Sequence, residues 1–496
     1  MPVANRFPQH ELAKAAKIAP AFSPLSTRQP LSARRHLKRY CMSTNPQIFG
    51  KFVHGSTMRH VVTMTATSSV GLIAVFLVDV LNLFYISRLG QQELAAAVGY
   101  ASTLLFFHTS IAIGLSIAAT ALVSRAIGSG RIEQARQLAA SAIILIGTIS
   151  AILAALTYPM LEFLLHLLGA QGETARLAQR FCSLILPSIP MLALGMCLSG
   201  LLRAMGDARR AMYVTLGAAA ATAVLDPLFI FAFHLGLDGA AYANICARVV
   251  LITIGLHGVL KVHHLYAQPT RATFMQGLAP FMAIGIPAIL TQVATPVGNA
   301  AVTAAIAKYG DDAVAGWAVV GRLIPVAFAG LFALSGAIGP ILGQNLGAMR
   351  YDRLRSTMRD SLRFTLMYVL VAWALLALGS SYIANAFGAR GLGYDIIVFF
   401  CVYVTASFLF NGCLFVANAA FNNLGFPLYS TMLNWGRSTL GVIPFVWFGS
   451  LHYGALGVLA GYGLGVVFFG AVGVWLCFHV LNNLEQNAAL RSATTS

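Results

Sequence analysis

Charged residues are scarce in this chain of 496 residues, and acidic residues are the scarcest. Only 9% of the residues are charged and only 15 are Asp or Glu, whereas a soluble globular domain carries about 25% charged residues. A chain of this length cannot cover a water-exposed surface with so little charge, so a soluble protein is excluded. The 7 cysteines show no short metal-ligand spacing and mostly lie in apolar runs, which favours small buried side chains over disulfides or metal ligands.

Hydrophobic residues make up 58% of the chain, and they occur in long runs. A helix of about 20 residues crosses a bilayer, and twelve runs reach that length. They are 61–86, 93–124, 138–168, 177–202, 211–235, 239–261, 277–306, 314–345, 361–387, 395–420, 428–449 and 454–481. We therefore predict an all-α polytopic membrane protein with twelve transmembrane helices.

The net charge of +17 would suggest a nucleic-acid partner in a soluble protein. Here the position of the basic residues favours a different interpretation. If the N-terminus is cytoplasmic, the segments on that side carry 24 Lys and Arg, against 6 on the other side. Because short cytoplasmic loops are enriched in Lys and Arg, we expect both termini in the cytoplasm, a plasma membrane location (a bacterial inner membrane in particular) and no nucleic-acid partner.

Residues 1–58 are basic, with Glu11 as the only acid and no apolar run of signal-peptide length. Their composition predicts a disordered tail. A transit segment, or an upstream extension of a gene that starts at Met42 or Met58, are the open alternatives. Since the segment has no counterpart before the second half of the chain, we expect transport not to depend on it.

The chain contains an internal duplication. The pattern G-x-x-R-x-[acid]-x-x-R occurs at 128–136 and again at 347–355, an offset of 219. Three further pairs recur in the same order at offsets of 217 to 220: 88–90 with 308–310, Gly206 with Gly425, and 227–239 with 444–457. The predicted organisation is a tail at 1–58, a six-helix lobe at 59–265, a cytoplasmic linker at 266–276, a second six-helix lobe at 277–482 and a C-terminal tail at 483–496.

Each predicted lobe has an even number of helices, so both lobes enter the membrane in the same direction. Parallel repeats of this kind are related by an axis along the membrane normal and are typical of transporters, in which one lobe rocks against the other around a central cavity. A helical bundle with a purely structural role is the alternative, and the duplication favours transport.

Three motifs resemble those of the multidrug and toxic compound extrusion (MATE) family. They are VDV at 78–80 with SRLG at 87–90 and LAAA at 94–97, LDPLFI at 225–230, and GQNLGA at 343–348. The resemblance covers about residues 60–480. It implies a cation-coupled antiporter that exports drugs or metabolites, lipophilic or cationic ones in particular. It also implies no enzymatic activity, no cofactor besides the coupling ion, and a monomer in the bilayer. Gly90, Gln344, Asn345 and Gly347 are the motif residues with an expected structural or gating role.

Asp79 and Asp226 are the only acids well inside a predicted span. A carboxylate in the membrane costs about 2.5–3.5 kcal/mol by insertion scales, so it is a functional candidate by default. Two carboxylates in one apolar site either exchange protons, because burial and repulsion disfavour double ionisation, or hold Na⁺ with neutral oxygens. Asn82, Thr222 and Asn244 are the expected supporting polar residues. A role in packing helices together is the alternative for each acid.

The chain departs from the family pattern in two respects. The usual Asn and Thr of the fifth and sixth helices are exchanged here, as Thr222 and Asn244, and the usual proline of the first helix is absent. The exchange alters the reach of the ligands of a sodium site, so we expect protons rather than Na⁺. The missing proline means that a bend of the first helix is not assured. The second lobe has no acid well inside its predicted spans, which resembles the DinF-like branch of the family.

Two other functions are alternatives to drug export. A lipid-linked glycan flippase needs a basic cavity, and only Arg248, Arg322 and Arg437 are available for one. A membrane-embedded transferase needs a nucleophile and a base, and the sequence offers no convincing cluster.

Overall fold

The computed structural model describes residues 50–87 and 92–495, and the regular elements in these ranges are all helical. Six helices form the first half. They are α1 Thr57–Ser87, α2 Gln92–Gly128, α3 Ile132–Leu167, α4 Gly172–Ala204, α5 Ala208–Ala232 and α6 Gly236–Val262. Short 3-10 or π turns occur in α3 to α6. They are Tyr158–Met160, Leu186–Ser188, Leu228–Ala232 and His257–Val262. The first three include or follow a proline, which lacks the N–H that an α-helix requires.

The second half repeats this arrangement. Its first helices are α7 Arg271–Tyr309, α8 Asp311–Ala327 with Ala329–Gly347, α9 Tyr351–Ala386, and α10 Gly391–Val402 with Phe408–Leu424. The two parts of α8 meet at an angle of 44°. These helices are long and apolar enough to cross a membrane, although the two parts of α10 are joined by a 3-10 turn at Val404–Ser407.

The last two crossings are separated by a single residue. Gly454 has φ 60° and ψ −145°, which no α-helix contains, so it divides the run that begins at Pro427 into α11 (427–453) and α12 (455–495). A β-carbon at Gly449 would lie 2.0 Å from the carbonyl oxygen of Gly457. The two helices therefore fold back on each other, and the twelve predicted crossings correspond to α1–α12.

Backbone geometry confirms the duplication. Glycines with positive φ recur at offsets of 218 or 219, where the backbone requires a residue without a β-carbon. The pairs are Gly169 and Gly388, Gly172 and Gly391, Gly206 and Gly425, and Gly236 and Gly454. The two halves thus turn at equivalent places, including the Gly206 and Gly425 pair found in the sequence.

The two lobes meet in a seam that is closed at one end of the bundle. We call this the basic end, and it carries the loops 129–131, 205–207 and 348–350. There, β-carbons at Gly128 and Gly347 would lie 2.0 and 2.1 Å from the carbonyl oxygens of Gln344 and Arg125. Backbones this close leave no room for water or substrate between α2 and α8.

At the opposite end the lobes diverge. A β-carbon at Gly99 of α2 or at Gly321 of α8 would meet nothing within 4 Å, and both glycines are exposed. The second part of α8 is almost entirely buried, whereas the first part leaves Ala318 and Arg322 exposed. The molecule therefore contains a cleft between the lobes that opens away from the basic end.

Three predicted boundaries differ from those in the structure. Residues 50–56, predicted as part of a disordered tail, form a packed strap in which the Phe52 side chain is 1% exposed; residues 1–49 lie outside the described part. The predicted C-terminal tail at 483–496 continues α12 as helix as far as Thr495. The predicted linker at 266–276 ends earlier, since Thr270 caps α7 by accepting a hydrogen bond from the N–H of Thr273 at 3.2 Å.

Candidate functional site

The carboxyl group of Asp226 is fully buried at a break in α5. Pro227 follows it directly, and the chain then forms the π turn Leu228–Ala232. The Asn82 side chain of α1 donates a hydrogen bond from Nδ2 to Asp226 Oδ2 at 2.8 Å. The other carboxyl oxygen, Oδ1, has no hydrogen-bond partner among the described residues. This oxygen is a free acceptor in an apolar lobe, where an unpaired polar atom is costly.

Asp79 is the second carboxylate of the site. It lies three residues before Asn82, so both side chains project from neighbouring positions on α1. Asp79 is exposed, unlike Asp226, and Asn82, its neighbour on the same face of α1, is the residue that bonds to Asp226. The structure therefore brings together Asp79, Asn82 and Asp226. Asp79 is exposed, whereas Asp226 is buried and accepts a hydrogen bond from the side-chain amide of Asn82.

Thr222 and Asn244, which the sequence predicts as supporting residues of Asp226, make their hydrogen bonds to other groups. The Thr222 hydroxyl donates to the Ala218 carbonyl at 3.1 Å, and the Asn244 amide donates to the Ala240 carbonyl at 3.0 Å. Both bonds close one turn of their own helix, a common arrangement for Thr in membrane helices. Neither side chain makes a hydrogen bond to Asp226 among the contacts of the described residues.

The GQNLGA motif lies at the closed seam and binds the strap. Gln344 Oε1 accepts from the N–H of Phe52 at 2.9 Å, and its Nε2 donates to the carbonyl of Ala204 in the first lobe at 2.7 Å. Asn345 Nδ2 donates to the carbonyls of Phe52 at 3.3 Å and Ile341 at 2.8 Å. Gly347 permits the close approach to α2 described above. Gly90, the remaining motif residue, lies outside the described residues.

Two charged residues at this seam were missed by sequence reasoning. Arg353 donates to the carbonyls of Phe52 and Gly55 at 2.8 Å each. Asp360 is 9% exposed and accepts a hydrogen bond from the Thr57 hydroxyl at 2.5 Å, at the N-terminus of α1, where a negative charge is stabilised by the helix dipole. Asp360 stands one residue before a predicted span, so its burial gave no hydropathy signal.

The three arginines considered for a basic cavity have different surroundings. Arg248 is buried and donates to the Ile185 carbonyl at 3.2 Å and to the Ser188 hydroxyl, next to the turn Leu186–Ser188 that interrupts α4. It therefore satisfies a carbonyl at a helix break. Arg322 is exposed on α8, and Arg437 is buried in α11. The three do not form one cluster, since Arg248 belongs to the other lobe.

Comparison with known proteins shows which family has this arrangement of helices. The MatE family model matches the chain twice, at residues 68–228 and at 287–448. The chain belongs to the MatE family. The two matches begin 219 residues apart, the same offset as the sequence landmarks, so the family unit is the six-helix lobe.

Relatives and solved structures agree with this MatE assignment. The FAD transporter of Shewanella oneidensis is 29% identical over 81% of this chain and 90% of its own length. The probable multidrug resistance protein YpnP of Bacillus subtilis is 25% identical over 76% of this chain and 87% of its own length. A variant of the Vibrio cholerae MATE transporter VcmN superposes with a TM-score of 0.82 and 27% identity, covering 88% of this chain and 97% of that one.

These findings establish the broad activity of this MatE protein. It is a multi-pass membrane antiporter that exports drugs or metabolites, with two lobes that alternate access to a central cleft. A flippase function is not favoured, and the relatives are transporters rather than enzymes. The expected closeness to the DinF-like branch stays a prediction.

Proposed function

We propose that this chain exports small organic molecules in exchange for protons, with Asp79 and Asp226 as the proton-binding groups. We further propose that the basic end faces the cytoplasm of a bacterial cell, that the protein works as a monomer in the plasma membrane, and that it needs no cofactor besides the coupling ion. The observation that carries the proposal is the hydrogen bond from Asn82 to Asp226 beside the exposed Asp79.

The pair of acids suits proton exchange because the two carboxylates differ in access. Asp79 is reached from outside the packed lobe, whereas Asp226 is sealed and keeps one oxygen free of hydrogen bonds. A proton that enters by Asp79 can neutralise Asp226, since two neighbouring charged carboxylates in an apolar site repel each other. A proton on Asp226 turns the charge-assisted bond from Asn82 into a weaker bond between neutral groups, and it adds an O–H that needs an acceptor of its own. The contact between α1 and α5 therefore changes.

Protons are favoured over Na⁺ by the way the supporting oxygens are used. A sodium site needs several oxygens pointing at one centre. The Thr222 hydroxyl and the Asn244 amide nitrogen each donate to a carbonyl of their own helix, and neither bonds to Asp226 among the contacts of the described residues. A protonation site needs only the carboxyl group and its burial.

α1 connects the acids to the seam. Its middle carries Asp79 and Asn82, and its first residue is held by Asp360 of the second lobe. Between them, Phe76 of α1 contacts Phe332 of α8 edge to face, with ring centroids 6.3 Å apart. We infer that a proton at Asp226 changes how α1 sits against α5, and that α1 transmits the change to α8 and α9 at the basic end. Protonation of Asp226 would in this way change the contacts that hold the two lobes closed at the basic end.

Orientation follows from the basic loops. Lys and Arg are concentrated at the end where the seam is closed, and such loops stay in the cytoplasm. In this orientation the cleft opens to the outside, as we expect for the state that releases substrate and takes up protons.

The proposal is tested by efflux from proteoliposomes that contain the purified full-length protein. The names of the relatives include both drugs and FAD, so ethidium and flavins are assayed separately. We expect efflux with an imposed pH gradient and no sodium, and none with a sodium gradient at clamped pH. Efflux that occurs only with the sodium gradient would refute proton coupling. If neither gradient drives efflux of ethidium or of flavins, antiport at this site is refuted.

A further inference from the structure

Arg437 is a buried cation that makes no salt bridge to any of the described residues. Its side chain is 4% exposed, yet neither α7 nor residues 427–484 contain an Asp or Glu. Its Nη2 donates to the hydroxyl of Thr295 at 3.2 Å and more weakly to that of Ser438 at 3.5 Å, and its Nε has no partner among the described residues. A buried guanidinium that makes bonds only to neutral groups carries a large desolvation cost, so the site is arranged for something besides stability.

The hydroxyl in front of Arg437 lies beside the cleft. In the half of α7 near the basic end, Gly285 and Ile289 pack against α2. Asn299 lies fourteen residues after Gly285, and Thr303 lies fourteen residues after Ile289. Fourteen residues are about four helical turns, so the face of α7 that carries Gly285 and Ile289 also carries Asn299 and Thr303. Both are exposed, as is Thr295, one turn before Asn299. This face of α7 therefore becomes the wall of the open cleft, with the polar residues Thr295 and Asn299 between Arg437 and the open space.

The duplication relates this wall of the cleft to the acidic site of the first lobe. The offset of 219 relates Asp79 of α1 to Gly298 of α7, and a β-carbon at Gly298 would lie 3.3 Å from Ser438, the neighbour of Arg437. The second lobe thus has a fixed positive charge next to the position where the first lobe has an acid. One wall of the cleft exchanges cations, and the equivalent wall offers a permanent cation and neutral donors.

We propose that Arg437, together with Thr295 and Asn299, binds an oxyanion of the exported molecule, a phosphate or carboxylate group. The proposal rests on the export function above and names the substrate class. A guanidinium has five N–H donors in a planar fork that fits two oxygens of such a group. Nε has no partner among the described residues, and the Thr295 hydroxyl, which accepts from Nη2, still has its own proton to donate. The expectation of a cationic substrate came from resemblance alone, whereas the charges of this wall select an anion.

The test compares two ligands that differ by one phosphate. Flavin mononucleotide and riboflavin share one fluorescent ring system, so their binding to the detergent-purified full-length protein is measured by fluorescence anisotropy without any ion gradient. We expect flavin mononucleotide to bind about tenfold more tightly than riboflavin, as a hydrogen-bonded charge pair allows. In Arg437→Gln the two affinities should become equal, with riboflavin unchanged. Thr295→Val should lower flavin mononucleotide affinity severalfold and keeps the test valid if Arg437→Gln does not fold.

A matched control is Arg248→Gln, because Arg248 is also a buried membrane arginine but bonds the break in α4. It should keep the preference for the phosphate. Equal binding of both flavins by the unaltered protein, or a preference that survives in Arg437→Gln and Thr295→Val, would overturn the proposal. Because binding is measured without a gradient, such a result is separate from a failure of proton-driven ethidium efflux.

Discussion

The side-chain oxygen of Gln344 accepts a hydrogen bond from the backbone N–H of Phe52 at 2.9 Å, 292 residues away in the chain. The same amide donates to the Ala204 carbonyl of the other lobe. Lys51 also donates to the Gly206 carbonyl at 2.9 Å. A strap that precedes the first membrane helix therefore fastens both lobes together at the basic end.

Removing this strap should weaken the closed seam. Deletion of residues 2–56 removes the buried Phe52 side chain and its backbone bonds to Gln344 and Asn345, a loss of about 2–4 kcal/mol in the closed state. We expect a cysteine placed at the basic-end seam, such as Ala204→Cys, to react faster with a membrane-impermeant maleimide in inverted vesicles. Export should fall as well.

Deletion of residues 2–49 is the matched control. It keeps every contact of the strap described above, so labelling and export should stay at the level of the full chain. Equal labelling of the two truncated proteins would show that the strap does not hold the seam. This replaces the expectation that everything before α1 is dispensable.

The glycines of the seam should be intolerant of a methyl group. In Gly128→Ala the new carbon would meet the carbonyl oxygen of Gln344 at 2.0 Å, which is backbone and cannot move aside. We expect the lobes to separate at the basic end and efflux to fall by about tenfold or more, since overpacking typically costs 1–3 kcal/mol. Efflux and maleimide labelling of Ala204→Cys measure the two effects.

Gly99→Ala is the control on the same helix, because its new carbon would meet nothing within 4 Å. Its efflux should match that of the unaltered protein. If Gly128→Ala also transports normally, the close contact between α2 and α8 is not needed for the transport cycle.

Much of the fold could be predicted from sequence because its signals are local. Long apolar runs fix helices, and the repeated landmarks at offsets near 219 fix two lobes. The pairing of Asp79 with Asp226 was also within reach, since acids are rare in membrane spans. The strap was not, because Phe52 belongs to a very short apolar stretch in a basic segment and its partners lie about 300 residues later.

Ligand geometry was the other limit of the sequence. Thr222 lies one turn before Asp226 as its spacing indicates, but its hydroxyl has a nearer acceptor in the Ala218 carbonyl. Spacing gives the face of a helix, whereas the rotamer decides which acceptor is used. Asn82 was named as a supporting residue on the same grounds, and it does contact Asp226.

Acid should weaken the loop between α4 and α5. Burial tends to raise the pKa of Asp207, but hydrogen bonds from the side chain and N–H of Arg210 and from His263 outweigh it, and the pKa is lowered. The stabilisation is therefore present above the unfolded-state pKa of about 4 and is lost as pH falls through the lower folded-state pKa. Between pH 6 and 3, the melting temperature in detergent should fall less for Asp207→Asn than for the unaltered protein. Parallel curves would contradict this assignment.

Neutralising either membrane acid should abolish coupled efflux while leaving the fold intact. Asp79→Asn and Asp226→Asn each keep the shape of the side chain and remove the group that binds a proton. In Asp226→Asn the amide oxygen can still accept from Asn82, so α1 stays bonded to α5 whatever the pH, and the change that drives alternation is absent. Drug resistance of cells and pH-driven efflux in proteoliposomes are measured at equal expression.

Glu162→Gln is the control, since Glu162 is exposed on α3 at the end of the bundle opposite the basic end, and it should transport normally. Unaltered efflux in both Asp variants would mean that the coupling ion binds elsewhere in the protein.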